Sequence, residues 1–207
     1  YQVGNTKEID MGEYGTHILR IANKSTPEQC NENGFSQTAC GLVLEFADII
    51  TKYRMISNDT NKGGWPASDM RTYVNNDIYN ALPSDLKNII IDTLAVSGYS
   101  WKDSENFIST DKLYLLATHE VFEIDNVSYS FDTAYNNTRQ LDYYARISDD
   151  TINTRAIKQY NNSDVSWWFR TPYSYNCASY FGYYDCGYVD DGNAIYTCGV
   201  SPAFRIG

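Results

Sequence analysis

Apolar residues in this chain come in short bursts bounded by turn formers, and only two stretches keep a helical spacing, which fits a mixed fold with many short strands. Alternating or short apolar runs at 17–22, 41–50, 112–117, 120–124 and 166–170 read as strands. The first helix follows Gly63-Gly64-Trp65-Pro66. Ser68 is placed to cap it, Met70, Val74, Ile78 and Leu82 recur on one face, and Pro83 stops it. A second helix starts at Ser84-Asp85, carries Leu86, Ile89, Ile90 and Leu94, and ends before Gly98. The stretch 126–164, rich in Asn, Asp, Ser, Thr and Tyr, reads as a long polar excursion with a short strand or helix inside it. No low-complexity linker or fixed-period repeat interrupts this order, so residues 1–207 are expected to form one continuous α+β domain.

Charge and cysteine usage exclude several classes. The chain has 16 basic against 26 acidic residues, a net charge of −10, and no Lys/Arg cluster of the kind that holds a phosphate backbone, so no nucleic-acid partner is expected. No run of about 18 uncharged apolar residues exists, so no membrane span is expected in this segment, and any export signal or anchor lies outside it. The five cysteines, Cys30, Cys40, Cys177, Cys186 and Cys198, contain no CxxC unit, which speaks against a structural zinc site. Cys30 and Cys40 bracket a short polar segment with Gly34. Such a loop is closed by a disulfide in an exported protein, or holds two buried thiols in a cytosolic one.

The last 37 residues, 171–207, contain no Lys, Glu, Gln, Trp or Met, although these five types fill 28 of the preceding 170 positions. At the upstream rate about 6 would be expected. The types that do occur (Tyr, Ser, Asn, Asp, Cys, Ala, Gly, Thr, Ile, Val and Phe, with two Pro and one Arg) all have codons ending in a pyrimidine, and 7 of the 19 tyrosines fall here. Substitution at the first two bases of Asn-type codons yields this alphabet without stop codons, which is how diversity-generating retroelements vary their targets. Tyr supplies contact area with few rotors and a polar tip, while Ser, Gly and Asn adapt their hydrogen bonds, so the composition suits a binding face. The plainer alternative is a Tyr/Gly-rich hairpin whose tyrosines are half-buried strand residues.

Five ordered motifs carry a resemblance: Gly63-Gly64-Trp65-Pro66-Ala67-Ser68-Asp69-Met70-Arg71, Asn80-Ala81-Leu82-Pro83, Asp111-Lys112-Leu113-Tyr114-Leu115-Leu116, Trp168-Phe169-Arg170-Thr171-Pro172, and Gly199-Val200-Ser201-Pro202-Ala203-Phe204-Arg205-Ile206. From about Gly41 to the C-terminus the chain resembles a large family of uncharacterised bacterial surface-protein domains showing GGW…MR, DKLxLLS, WWLRSP and GVRPAFRI. It departs from that pattern at Phe169, Thr171 and Ser201, where Leu, Ser and Arg are commoner. The resemblance implies a C-type-lectin-like fold of the formylglycine-generating-enzyme and variable-protein lineage, with two helices and a twisted antiparallel sheet, whose C-terminal strands display a ligand-binding face. Some members of that lineage are retroelement targets.

The resemblance also sorts the tail. Arg170, Pro172, Gly182, Gly192, Gly199, Val200, Pro202, Ala203, Phe204 and Ile206 are expected to be framework. The expected solvent-facing, variable contacts, within a display region of about 171–199, are Tyr173, Tyr175, Asn176, Cys177, Ala178, Ser179, Tyr180, Tyr183, Tyr184, Asp185, Cys186, Tyr188, Asp191, Asn193, Ala194 and Tyr196. Strand alternation turns some of these inward. If Cys177 and Cys186 arose by diversification they need no partner, the alternative being a hairpin disulfide.

Catalysis finds little support. His17 lies in a strand-like run and His119 follows the 112–117 run, and both read as satisfied core or turn residues rather than general bases. An oxidase of the formylglycine-generating type would need Cys177 or Cys186 as its reactive thiol, and neither has an adjacent Lys, Arg or His to favour a thiolate. Asp190-Asp191-Gly192-Asn193 resembles a fragment of a calcium loop without EF-hand spacing, the alternative being a plain turn. Trp65, Trp167 and Trp168 read as core. The expectation is therefore a non-enzymatic, extracellular or cell-surface module with no catalytic residue, metal or cofactor, engaging a protein or glycan on another cell, phage or host surface. The alternatives are a formylglycine-generating-type oxidase and a structural domain of a surface protein.

Overall fold

Two sheets frame the computed structural model, which describes residues 1–123, 132–145, 154–175, 180–185 and 188–207. The first is antiparallel and ordered β1 (Thr6–Asp10), β2 (Thr16–Asn23), β3 (Val43–Phe46), β13 (Ala203–Arg205), so the first and last strands share one sheet. The second is ordered β11 (Tyr188–Asn193), β10 (Tyr180–Asp185), β9 (Trp167–Pro172), β12 (Thr197–Val200), β4 (Thr51–Arg54), antiparallel except where β12 runs beside β9. All six residues of β9 are buried, as a central strand covered on both faces requires. Hairpins β5 (Thr93–Ser97)/β6 (Phe107–Asp111) and β7 (Gln159–Tyr160)/β8 (Ser163–Asp164) stand apart. The mixed α+β class is as expected.

The first helix forms where its spacing predicts. Ser68 Oγ accepts the Arg71 N–H at 3.0 Å and caps α1 (Asp69–Tyr73), which continues through a π-helical turn (Val74–Ile78) into α2 (Tyr79–Ala81). Met70, Val74, Ile78 and Leu82 are buried, and Leu82 turns extended before Pro83. Asn75 sits in the π turn. Its amide donates to the carbonyls of Arg71 (3.1 Å) and Leu113 (2.8 Å), and its oxygen accepts the N–H groups of Lys112 and Leu113, each at 3.0 Å.

Three sequence expectations are corrected. The second helix lasts one turn, α3 (Ser84–Lys87), and Leu94 belongs to β5. The β-branched run Ile89-Ile90-Ile91 ends the helix, and Ile90 forms a bridge with Ile206 instead. Residues 112–117 are not a strand beyond a single bridge between Tyr114 and Ala203, because the Asn75 side chain takes the N–H groups that a ladder would use. Residues 118–121, expected to begin a strand around Glu120, form α4 (Thr118–Val121), where Glu120 folds back to accept the Ala117 N–H at 2.9 Å.

The motif residues meet in buried polar nodes. Asp111 accepts from Trp65 Nε1 (3.0 Å), Arg71 Nε (2.6 Å) and Ser109 Oγ (2.7 Å). Arg170 and Glu120, both with no solvent exposure, pair through Nη1 at 2.6 Å and Nη2 at 2.7 Å. Glu45 is held between Arg20 Nη2 and Lys158 Nζ, each at 2.8 Å, with Tyr144 donating at 2.9 Å. Burial opposes the charge on Lys158 and, with Arg20 nearby, brings its pKa down to about 8 despite Glu45. Cys30 and Cys40 form a disulfide, and the loop it closes sends Thr38 into the core to hydrogen-bond Glu120.

Candidate functional site

The tail follows β9 outward, returns on β10 and leaves on β11, the outer edge of the second sheet. Registers Phe181↔Gly192 and Tyr183↔Asp190 set the hairpin. Between the expected contacts, Arg170, Pro172, Gly182, Gly199, Val200, Pro202, Ala203 and Phe204 are buried, while Gly192 and Ile206 are half-buried. Gly192 has a steric reason: a Cβ there would sit 3.0 Å from Tyr183 Cε1 and 3.4 Å from Trp168 Cη2.

The expected contacts divide. Tyr175 is 67% exposed and Tyr196 63%. Tyr173, Asp191 and Asn193 are half-buried. Tyr183 is also half-buried, edge-on to Trp168 at 5.8 Å, and serves partly as packing. Ala194 is a correction, because it is fully buried rather than solvent-facing. Its carbonyl accepts the N–H groups of Met55 (2.9 Å) and Ile56 (3.1 Å), which draws the turn after β11 into the core and leaves room for little more than a methyl. Tyr180, Tyr184, Asp185 and Tyr188 lie on β10 and β11, their side chains outside what is described. Asn176, Cys177, Ala178, Ser179 and Cys186 lie outside the described residues.

Two loops from elsewhere in the chain reach this end of the sheet. In the loop 57–64, Asp59 Oδ1 accepts from Asn193 Nδ2 at 2.8 Å and Asn61 Nδ2 donates to the Tyr173 carbonyl at 2.8 Å. In the loop 98–106, the Trp101 N–H donates to the same carbonyl at 3.2 Å, and Asp103 Oδ2 accepts the Gly63 N–H at 2.9 Å. Trp101 is 49% exposed, whereas Trp65, Trp167 and Trp168 have no exposure. Sequence reading singled out neither Trp101 nor Asp59. The available signal was local, since Trp101 sits among Ser100, Lys102, Asp103 and Ser104, with no apolar periodicity to bury it.

His17 Nδ1 lies 2.7 Å from Asp48 Oδ2 and Nε2 2.9 Å from the Tyr14 carbonyl. Both partners can accept a hydrogen bond, which favours the protonated ring. Burial works against that charge, but the Asp48 hydrogen bond and charge, with the Tyr14 carbonyl, raise the pKa above its ordinary value. His119 packs edge-on to Tyr135 with ring centres 6.4 Å apart. Asp190-Asp191-Gly192-Asn193 is neither a loop nor a turn but part of β11, where alternation sends adjacent carboxylates to opposite faces. Burial and the neighbouring Asp190 hold the Asp191 carboxyl above its ordinary pKa. Among the described residues, no three His, Cys, Asp or Glu gather to hold a metal, and no helix is long and apolar enough to cross a membrane. An aliphatic groove of about 510 Å³, lined by Ile9, Leu19, Ile21, Leu44, Leu86 and Ile206 among others, includes none of the expected contacts.

No curated protein and no solved structure gives a significant match to this chain. The family model described as "Domain of unknown function (DUF6273)" matches residues 41–207, and the chain belongs to that family.

Proposed function

We propose that this protein is a non-enzymatic, extracellular ligand-binding module with a C-type-lectin-like fold, whose tail is a variable region of the kind written by diversity-generating retroelements. One coincidence carries the reading. The 37 residues with the restricted alphabet supply the outer hairpin of the second sheet, and Tyr175 and Tyr196, which flank its two strands in sequence, are more than half exposed while Phe181, between them, and Gly199 and Phe204, just beyond, are buried. A rigid base with aromatic and small polar residues on its rim is the physical requirement for a surface that must tolerate sequence change. The Cys30–Cys40 disulfide supports an extracellular setting.

Sequencing sister copies of the gene and the DNA beside it tests this. The expected result is a near-identical template repeat, a neighbouring reverse transcriptase, and copies differing at Tyr173, Tyr175, Asp191, Asn193 and Tyr196 while Gly192 and Gly199 stay constant. Copies that keep the same letters at the exposed positions overturn it.

A further inference from the structure

We propose that the loops 57–64 and 98–106 belong to the same binding face as the tail, with Trp101 as an aromatic anchor outside the variable segment, and that the partner this face fits is a protein surface presenting Lys and Arg. The inference rests on the reading of the tail as a binding face and names its extent and its partner.

The extent follows from the hydrogen bonds. Asp59 is tied to Asn193, Asn61 and Trp101 both donate to the Tyr173 carbonyl, and Asp103 ties the two loops together through Gly63. The exposed large side chains here are Trp101 (49%), Tyr175 (67%), Ile195 (42%) and Tyr196 (63%). Half-exposed Trp and Tyr on a rigid base are the residue types that dominate binding energy at protein interfaces.

Charge selects the partner. The loops 57–64 and 98–106 and the hairpin carry Asp59, Asp103, Glu105, Asp190 and Asp191 against Lys62 and Lys102, the neighbouring Arg54, opposite Thr197, lies 3.8 Å from Asp69, and 171–199 contains no basic residue at all. Among the described residues no Lys or Arg pairs with Asp190 or Asp191. An acidic face that also exposes aromatic rings favours guanidinium and ammonium groups, which gain both ion pairing and cation–π contact. A neutral glycan gains nothing from the charge.

Trp101 provides its own reporter, being the exposed tryptophan among three that are buried. In the full chain, quenching of its fluorescence by caesium and by iodide, each referenced to free N-acetyltryptophanamide, is expected to favour caesium by about twofold or more at low salt and to converge as salt screens the face. Equal quenching, or preference for iodide, overturns the charge assignment. Calorimetric titration then uses a synthetic peptide of alternating Arg and Gly, its Glu counterpart and a neutral glucan oligomer. The Arg peptide is expected to bind, and Trp101→Ser to weaken it about five- to thirtyfold without changing the melting temperature. Tyr175→Ser and Tyr196→Ser are expected to weaken it as well. Loss with the tyrosine variants but not with Trp101→Ser refutes the extension and leaves the tail as a binding face. Loss with Trp101→Ser alone refutes the tail reading. Binding of the glucan, or no binding of the Arg peptide, overturns the partner class.

Discussion

Arg170 and Glu120 should behave as one unit, and a double-mutant cycle measures how strongly. The guanidinium donates to Glu120 Oε2 (2.6 Å) and the Leu115 carbonyl (2.8 Å) through Nη1, and to Glu120 Oε1 (2.7 Å), Thr38 Oγ1 (3.1 Å) and the Val96 carbonyl (3.2 Å) through Nη2. Arg170→Met leaves a fully buried carboxylate with only Thr38, Thr138 and the Ala117 N–H as donors, and takes one donor each from the Leu115 and Val96 carbonyls. Stranding a buried charge costs about 3–5 kcal/mol. Glu120→Leu is expected to cost at least as much, because a guanidinium cannot shed its proton to escape burial. The double variant removes both charges, so it should lose less than either single rather than the sum of the two. Urea unfolding followed by tryptophan fluorescence gives all three values. Burial opposes the Glu120 charge but Arg170 outweighs it, holding the carboxyl below its ordinary range. The pair's contribution is therefore full above the unfolded pKa of about 4.3 and lost as pH falls through the lower folded value. Single losses that simply add, or an acid limb unmoved by Arg170→Met, would refute the coupling.

The remaining expectations are briefer. His17, with its raised pKa, contributes stability below about pH 6.5 that fades as pH climbs through the folded value, so His17→Asn should destabilise more at pH 5.5 than at pH 8.5; a pH-independent loss speaks against the imidazolium. Replacing Cys30 and Cys40 with Ser should lower unfolding free energy by about 2–3 kcal/mol, with reductant giving the native protein the same melting temperature. Gly64→Ala meets both a φ of +53° and the Phe107 ring 2.7 Å from the new Cβ, so soluble expression and melting temperature should drop sharply. Ala194→Tyr should unfold the domain by overpacking whereas Tyr196→Ala should leave its melting temperature nearly unchanged, and sister copies should carry only small residues at 194.

The parts of the fold that could be read from the sequence are those whose causes are local. Ser68, the four-residue spacing from Met70 to Leu82 and Pro83 act within a few residues of one another, and the helix appears where they place it. The segment after Lys87 reads as helix because a short apolar run fits both periods, and what decides it is pairing with β6 across ten or more residues. The 112–117 run looks like a strand by composition, yet its backbone is satisfied by a side chain from residue 75. Glu120 looks like a strand residue until Arg170, fifty residues on, draws it inward. Within the candidate site, the framework glycines and the exposed Tyr175 and Tyr196 follow from motif and composition. Ala194 does not, because only the hydrogen bonds from Met55 and Ile56 turn it to the core. Trp101 joins the face through a single backbone contact to Tyr173 that no sequence spacing announces.

Strands β1 and β13 lie at the two edges of the same four-stranded sheet. A pull on both ends of the chain would therefore load the ladders joining β1, β2, β3 and β13, and the hairpin carrying the tyrosines would sit outside the line of tension. The strain would be borne by a different set of hydrogen bonds from those that shape the hairpin β10–β11.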